Sequence, residues 1–178
     1  GRYHLEVISG TIWRLGAAFE TDDAYWVGRA AVEVTGPSSS LDLTLNGPYP
    51  KPPPLAVTFD ASRPQRLQLA DGTSIFIPAG AMPVEGTVTL RIVPIATLPH
   101  QRHAHIVRYG YALFATDESG RPLEEHFNHH VLIRFHYDAL HLTDSLMRLK
   151  PAYFSTTTNE WTFPEYYVVH PDRHLVTM

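Results

Sequence analysis

The 178-residue sequence contains no cysteine. Disulfide bridges, thiolate zinc sites and cysteine nucleophiles are therefore excluded. The missing cysteines do not decide the compartment, because a domain of this size can build its core without disulfides even outside the cell.

Basic runs and long apolar runs are also missing. Charged residues make up 18% of the chain, and the formal net charge of −4 is spread along it. No stretch supplies the positive surface that neutralises phosphates, so we expect no nucleic-acid partner. No apolar stretch approaches the roughly 18 residues of a membrane-spanning helix, so we expect no transmembrane segment in this chain.

The sequence is instead rich in turn residues and short alternating runs. It has 15 prolines and 11 glycines, and 44% of its residues are hydrophobic, a balance typical of β proteins. In "GTVTLRI", Val88, Leu90 and Ile92 alternate with polar residues, as in a strand with one face on a core. Such runs recur from residue 57 onward and predict an all-β fold, an antiparallel β-sandwich. The one helical turn that we expect lies in "DALHLTDSL", residues 138–146.

Turn residues predict where strands end. In "DGTSIFIPAGAM", Pro78 cannot donate to a sheet and Gly80 permits a bend, so we expect the strand to stop there for architectural reasons. Gly120 and Asn159 are placed to adopt positive φ in hairpin turns.

The proline-rich stretch "GPYPKPPPL" indicates a domain boundary, because successive prolines fix φ and remove backbone donors. We predict a smaller partial β domain over residues 1–46, a linker over 47–56, and the β-sandwich over 57–178. The first segment holds four strands at most and buries too little surface to be stable alone, so we expect something to complete it. The alternative is a proline-rich edge segment packed along a single domain.

Three stretches carry a family resemblance: "DGTSIFIPAGAMPVEGTVTLRI", "YALFATDESGRPLEEHFNHHVLIRFHYD" and "LMRLKPAYFSTTTNEWTF". They resemble the β-sandwich domain shared by zonula occludens proteins, netrin receptors and ankyrins, which also occurs in secreted and surface proteins of bacteria. Some relatives cleave their own chain at a His-Phe-Ser site, but no such tripeptide occurs here.

The N-terminal stretch "GRYHLEVISGTIWRLGAAF" resembles the latter half of a carboxypeptidase-regulatory-like sandwich, which implies that the first strands of that domain are missing. In both families the modules serve as spacers, adhesion units or interaction surfaces, and neither resemblance implies an enzyme. We therefore expect a non-catalytic module of a secreted or cell-surface bacterial protein. Its expected partner is a protein or carbohydrate at the cell surface, and its sheet edges are expected to form a homo-oligomer.

Eleven histidines are the compositional oddity, and they concentrate in "HQRHAH" and "HFNHH". His103 and His105 would share one face of a strand, and His129 or His130 begins a later strand. Imidazoles at alternating positions bind zinc when a neighbouring strand supplies a third ligand. These four residues are our metal candidates, and no other cofactor is expected. The alternative is that they are exposed histidines of loops and edges.

Aromatic residues are expected mainly in the core, with Tyr25 and Trp26 as the exception. The preceding Asp22 and Asp23 place this pair near a turn, so it is our candidate for ligand binding. No catalytic residues are predicted, because no Gly-x-Ser-x-Gly motif is present and the carboxylates show no pairing. Two alternatives stay open: a binding module with a histidine metal site, and an accessory region of a hydrolase or of a self-cleaving protein.

Overall fold

The computed structural model is built of antiparallel β-strands throughout the residues that it describes. Those residues are 6–36, 40–98, 109–123, 127–137, 149–155 and 158–178. A 3-10 helix of three residues, Pro171–Arg173, is the one helical element among them. The all-β expectation is therefore confirmed. The helical turn expected at residues 138–146 lies outside the described residues.

Thirteen strands are present in the described part of the chain. In chain order they are β1 (Thr11–Glu20), β2 (Ala24–Val34), β3 (Asn46–Pro50), β4 (Leu55–Asp60), β5 (Gln65–Gln68), β6 (Ser74–Ile77), β7 (Thr87–Ile95), β8 (Gly110–Thr116), β9 (Leu132–His136), β10 (Tyr153–Ser155), β11 (Glu160–Thr162), β12 (Val168–His170) and β13 (Leu175–Thr177).

The chain divides into two compact units, Gly1–Lys51 and Pro52–Met178. The first part of the predicted linker, 47–56, is the strand β3, which pairs with β2 inside the first unit. The last residues of the predicted linker already belong to β4. The prolines therefore flank or enter two strands, while residues 40–45 form no strand.

The first unit is a sheet in the order β1-β2-β3. Its long hairpin pairs Thr11 with Val34 at one end and Glu20 with Tyr25 at the other, without a register shift. Gly28 lies in the middle of β2, where a Cβ atom would clash with the carbonyl oxygen of Thr44. A glycine is needed here because the segment before β3 passes directly over the strand.

The second unit contains two main sheets, ordered β12-β13-β9-β6-β5 and β4-β7-β8, and the two-stranded sheet β10-β11. Its hydrophobic core draws side chains from both main sheets and from the turns between them: Phe59, Ala61, Leu67, Leu69, Ile75, Ile77, Ala81, Met82, Val88, Leu90 and Ile92. The alternation predicted for β7 is confirmed, since its inward residues are at most 1% exposed.

The turn residues behave as the sequence predicts. β6 ends at Ile77, directly before Pro78, and Gly80 adopts a φ of 69° while its N–H donates to the carbonyl of Ala61. Gly120 and Asn159 also have positive φ, 81° and 55°. The stop after β6 is therefore a structural turn. The helical element of the described ranges has three residues, so no helix there could span a bilayer.

Candidate functional site

A partly buried polar cluster forms around Asp71 in the second unit. We call Asp71, Thr73, Tyr109 and Tyr111 the Asp71 cluster. Asp71 and Thr73 lie in the turn between β5 and β6. Tyr109 immediately precedes β8, and Tyr111 lies in its second position. The cluster therefore joins a turn of the five-stranded sheet to a strand of the three-stranded sheet.

The sequence "ADGTS" builds the turn that holds the carboxylate. The N–H of Gly72 donates to the carbonyl of Leu69 at 3.1 Å, and the N–H of Leu69 donates to the carbonyl of Thr73 at 2.8 Å. Gly72 adopts a φ of 88°, a conformation that suits glycine. Oδ1 of Asp71 then accepts the N–H of Thr73 at 3.0 Å, which locks the side chain against its own turn.

The tyrosines reach the same carboxylate from β8. They are two positions apart, so their side chains leave the chain on the same side. Oδ2 of Asp71 accepts the hydroxyl of Tyr109 at 3.0 Å and that of Tyr111 at 2.7 Å. The hydroxyl of Thr73 donates to the same oxygen at 3.1 Å. The two phenol rings meet edge to face, with centroids 5.6 Å apart.

The cluster shifts the pKa values of its members apart. Burial acts to raise the pKa of Asp71, but the hydrogen bonds from Tyr111, Thr73 and Tyr109 outweigh it, and the pKa is lowered. Burial, followed by the hydrogen bond to Asp71 and its negative charge, raises the pKa of Tyr111. Asp71 therefore stays ionised and Tyr111 stays protonated across the neutral range.

The directions of these pKa shifts limit the acid–base chemistry of the cluster. A general acid or base works best with a pKa near the operating pH, and both groups move away from it. The carboxylate oxygens also receive four hydrogen bonds from the protein itself. These bonds form a charge-assisted hydrogen-bond network that connects the β5–β6 turn to β8.

Thr73 extends this hydrogen-bond network to strand β9. Its side chain is 1% exposed, and its Oγ1 accepts the backbone N–H of His136 in β9 at 3.2 Å. The imidazole of His136 lies 3.6 Å from the position that a Cβ on Gly72 would occupy. The turn is therefore packed against β9 as well as bonded to β8.

The histidine candidates are only partly covered by the structure. His103 and His105 lie outside the described residues. His129 and His130 are exposed just before β9, and Nε2 of His129 lies 3.9 Å from the position of a Cβ on Gly80. Within the described ranges, no three His, Cys, Asp or Glu side chains stand close enough to hold a metal ion. The four-histidine site stays a prediction.

The structure separates the two members of the aromatic candidate pair. Tyr25 is 3% exposed, and its ring lies 5.4 Å from that of Tyr49 in β3. Trp26 is half-buried, and its ring lies 5.2 Å from that of Phe19, which is 53% exposed. Phe19 and Trp26 therefore offer more surface to a ligand than Tyr25 does. Ligand binding at Tyr25 and Trp26 stays a prediction.

Sequence reasoning did not find the Asp71 cluster. The stretch "DGTSIFIPAGAM" predicts the end of a strand, which is correct for Pro78 and Gly80, but it assigns no role to Asp71. The available signal was a pair of alternating tyrosines in "RYGYAL" and an Asp-Gly turn. Tyr109 and Tyr111 lie 38 and 40 positions after Asp71 in the chain, so their contact with it depends on the sheet topology.

Comparisons with known proteins add no family or function. No family model, curated protein or solved structure matches this chain.

Proposed function

We propose that this chain is a non-catalytic spacer, adhesion or interaction module of a secreted or cell-surface bacterial protein. The observation that carries the proposal is the Asp71 cluster. Its carboxylate is held ionised and accepts four hydrogen bonds from the protein itself, an arrangement that stabilises a β fold and contributes little to acid–base chemistry.

The architecture and the sequence resemblance support the same proposal. The core of the second unit takes side chains from two antiparallel sheets, and we interpret it as a β-sandwich. Residues 71–92, at the centre of this core, resemble the domain of zonula occludens proteins, netrin receptors and ankyrins. In that family the domain connects or binds other parts of large proteins, and we assign this chain the same kind of role.

The surface part of the proposal is tested on intact cells that produce the parent protein. We expect an added protease to remove the signal of an antibody raised against this chain, while a cytosolic control protein remains. Protection of the chain until the cells are lysed would contradict the surface location.

The non-catalytic part is tested with chromogenic ester, glycoside and peptide substrates, and by intact mass during incubation. We expect no turnover and no change in mass. Hydrolysis that disappears in a folded Asp71→Asn variant, with Asp22→Asn as the exposed control, would show instead that the Asp71 cluster is an active site.

A further inference from the structure

The outer edge of β1 is unpaired among the described strands. β1 is ten residues long and hydrogen-bonds to β2 on one side only, because the sheet order is β1-β2-β3. Two large apolar residues on it are exposed, Ile12 by 64% and Phe19 by 53%. Long apolar edge strands invite pairing with another strand.

Several other sheet edges in the described part of the chain are short or lie beside proline. β3, the opposite edge of the same sheet, contains Pro48 and Pro50. β5 and β12 span four and three residues. β8 is longer, but the segment that follows it covers the end of its edge. Thr116 forms an isolated β-bridge with Pro122, and the N–H of Leu123 donates to the carbonyl of Ala115. β1 contains neither proline nor lysine, two common guards of an edge.

The hairpin register shows which backbone groups of β1 point outward. The N–H of Thr21 donates to the carbonyl of Ala24, so this facing pair is hydrogen-bonded. Facing pairs alternate along an antiparallel ladder, and the register from Glu20 to Thr11 is regular. The odd-numbered residues of β1 therefore bond to β2. Ile12, Arg14, Gly16 and Ala18 present their N–H and C=O groups at the open edge.

The side chains of β1 are complementary to a second, antiparallel copy of the same strand. When the two copies are centred on Ala17, Leu15 of each strand faces Phe19 of the other. Arg14 of each strand faces Glu20 of the other, so two pairs of opposite charge form. The carboxylate of Glu20 also accepts a hydrogen bond from Lys51 Nζ at 2.8 Å. A carboxylate has enough lone pairs to accept from both Lys51 and the Arg14 of a second copy.

We propose that two copies of this chain associate through antiparallel pairing of their β1 strands, centred on Ala17, to form one continuous sheet of six strands. The charge complementarity within β1 favours a second copy over a foreign strand. The proposal goes beyond the function proposed above and holds whether or not the chain lies at a cell surface.

A cysteine cross-link tests the register, and the chain has no thiol of its own to interfere. Ala17 faces its own copy in a non-hydrogen-bonded pair, where the Cα atoms are about 4.5 Å apart, within the range of a disulfide. We expect Ala17→Cys to form a disulfide dimer under mild oxidation. Leu15→Cys is the register control, since its two copies would lie about 14 Å apart. Ala31→Cys places an exposed thiol on the central strand β2 and measures the rate of disulfide formation by random collision.

Two further variants of the full chain test the association itself by light scattering over a concentration series. Ala18→Pro removes an outward N–H and should give a monomer. Arg14→Glu, which keeps the backbone intact, places two carboxylates opposite each other and should raise the dimer Kd at least about tenfold. Arg63→Glu, exposed in the other unit, should leave the Kd unchanged.

The proposal is overturned if the wild-type chain is monomeric at every concentration. It is also overturned if Arg14→Glu and Ala18→Pro dimerise like the wild type, or if Leu15→Cys or Ala31→Cys cross-links as fast as Ala17→Cys.

Discussion

The hydroxyl of Tyr111 donates a hydrogen bond to Oδ2 of Asp71 across 2.7 Å, although the two residues are 40 positions apart in the chain. The bond connects the β5–β6 turn to β8, and with it the two main sheets of the second unit. The stability of that unit should therefore depend on a single ionised side chain.

Replacing Asp71 by Asn removes the charge but keeps the shape. We expect the free energy of unfolding to fall by about 1–3 kcal/mol, because the donors around the carboxylate lose a charged acceptor. Urea denaturation followed by circular dichroism measures the change. Asp22→Asn, at an exposed turn, is the matched control and should be neutral. Equal stability of the two variants would show that the cluster contributes nothing to the fold.

The same carboxylate should impose an acid limit on stability. The pKa of Asp71 is lower in the folded chain than in the unfolded chain, where it is about 3.9. Its contribution is fully present above the unfolded pKa and is lost as the pH falls through the folded pKa. Unfolding free energies measured from neutral pH downward should therefore converge for wild type and Asp71→Asn. Asp117, whose pKa is about 2, is present in both and does not affect the difference. Parallel curves would contradict the expected shift.

The tyrosines should be coupled to Asp71 energetically. We expect Tyr111→Phe to cost about 1.5 kcal/mol, and a double-mutant cycle with Asp71→Asn to give a coupling energy of about 0.5–3 kcal/mol. Tyr166→Phe is the control, since that side chain is 86% exposed. Additive effects of the two changes would show that the 2.7 Å contact does not exist in solution.

Gly28 tests the packing of the first unit. Gly28→Ala forces a methyl group against the Thr44 carbonyl and should cost about 1–3 kcal/mol. Gly16→Ala, in the neighbouring strand, places its Cβ at 3.9 Å from the nearest atom and is the control. The fluorescence of Trp13 and Trp26 reports on this unit during thermal unfolding. Equal melting of the two variants would contradict the close approach of residue 44.

The core of the second unit is tested by matched leucines on adjacent strands. Leu90 in β7 is 1% exposed, whereas Leu113 in β8 is 37% exposed. Leu90→Ala should destabilise by about 2–5 kcal/mol because it leaves a cavity, and Leu113→Ala should cost much less. Chemical denaturation of both variants decides the point, and a reversed order would mean that β7 does not form the core.

The sequence predicted those features that depend on neighbouring residues. The alternation in β7, the end of β6 before Pro78 and the positive φ of Gly120 follow from side-chain size and backbone freedom within a few positions. Long-range features were not predictable in this way. The meeting of Asp71 with Tyr109 and Tyr111 depends on which strands become neighbours, and this information is not contained in any local stretch.

In the proline-rich stretch, pairing with a neighbouring strand outweighs the local preference of prolines for an unpaired extended segment. Successive prolines predicted an extended linker, yet Asn46–Pro50 pairs with β2. An edge strand needs donors on one side only, so prolines at β3 are tolerated where a central strand would exclude them. An edge segment was the alternative to a linker, and the local sequence does not decide between them because pairing with β2 is a tertiary contact.

The Asp71 cluster also has a consequence for how the chain selects its strand pairing. A slip of β8 by one residue along β7 would turn Tyr109 and Tyr111 to the opposite face of the sheet. The carboxylate of Asp71 would then remain partly desolvated in its turn without the two phenol donors, at an energetic cost. The cluster therefore favours one register of β8 along β7 over the neighbouring registers.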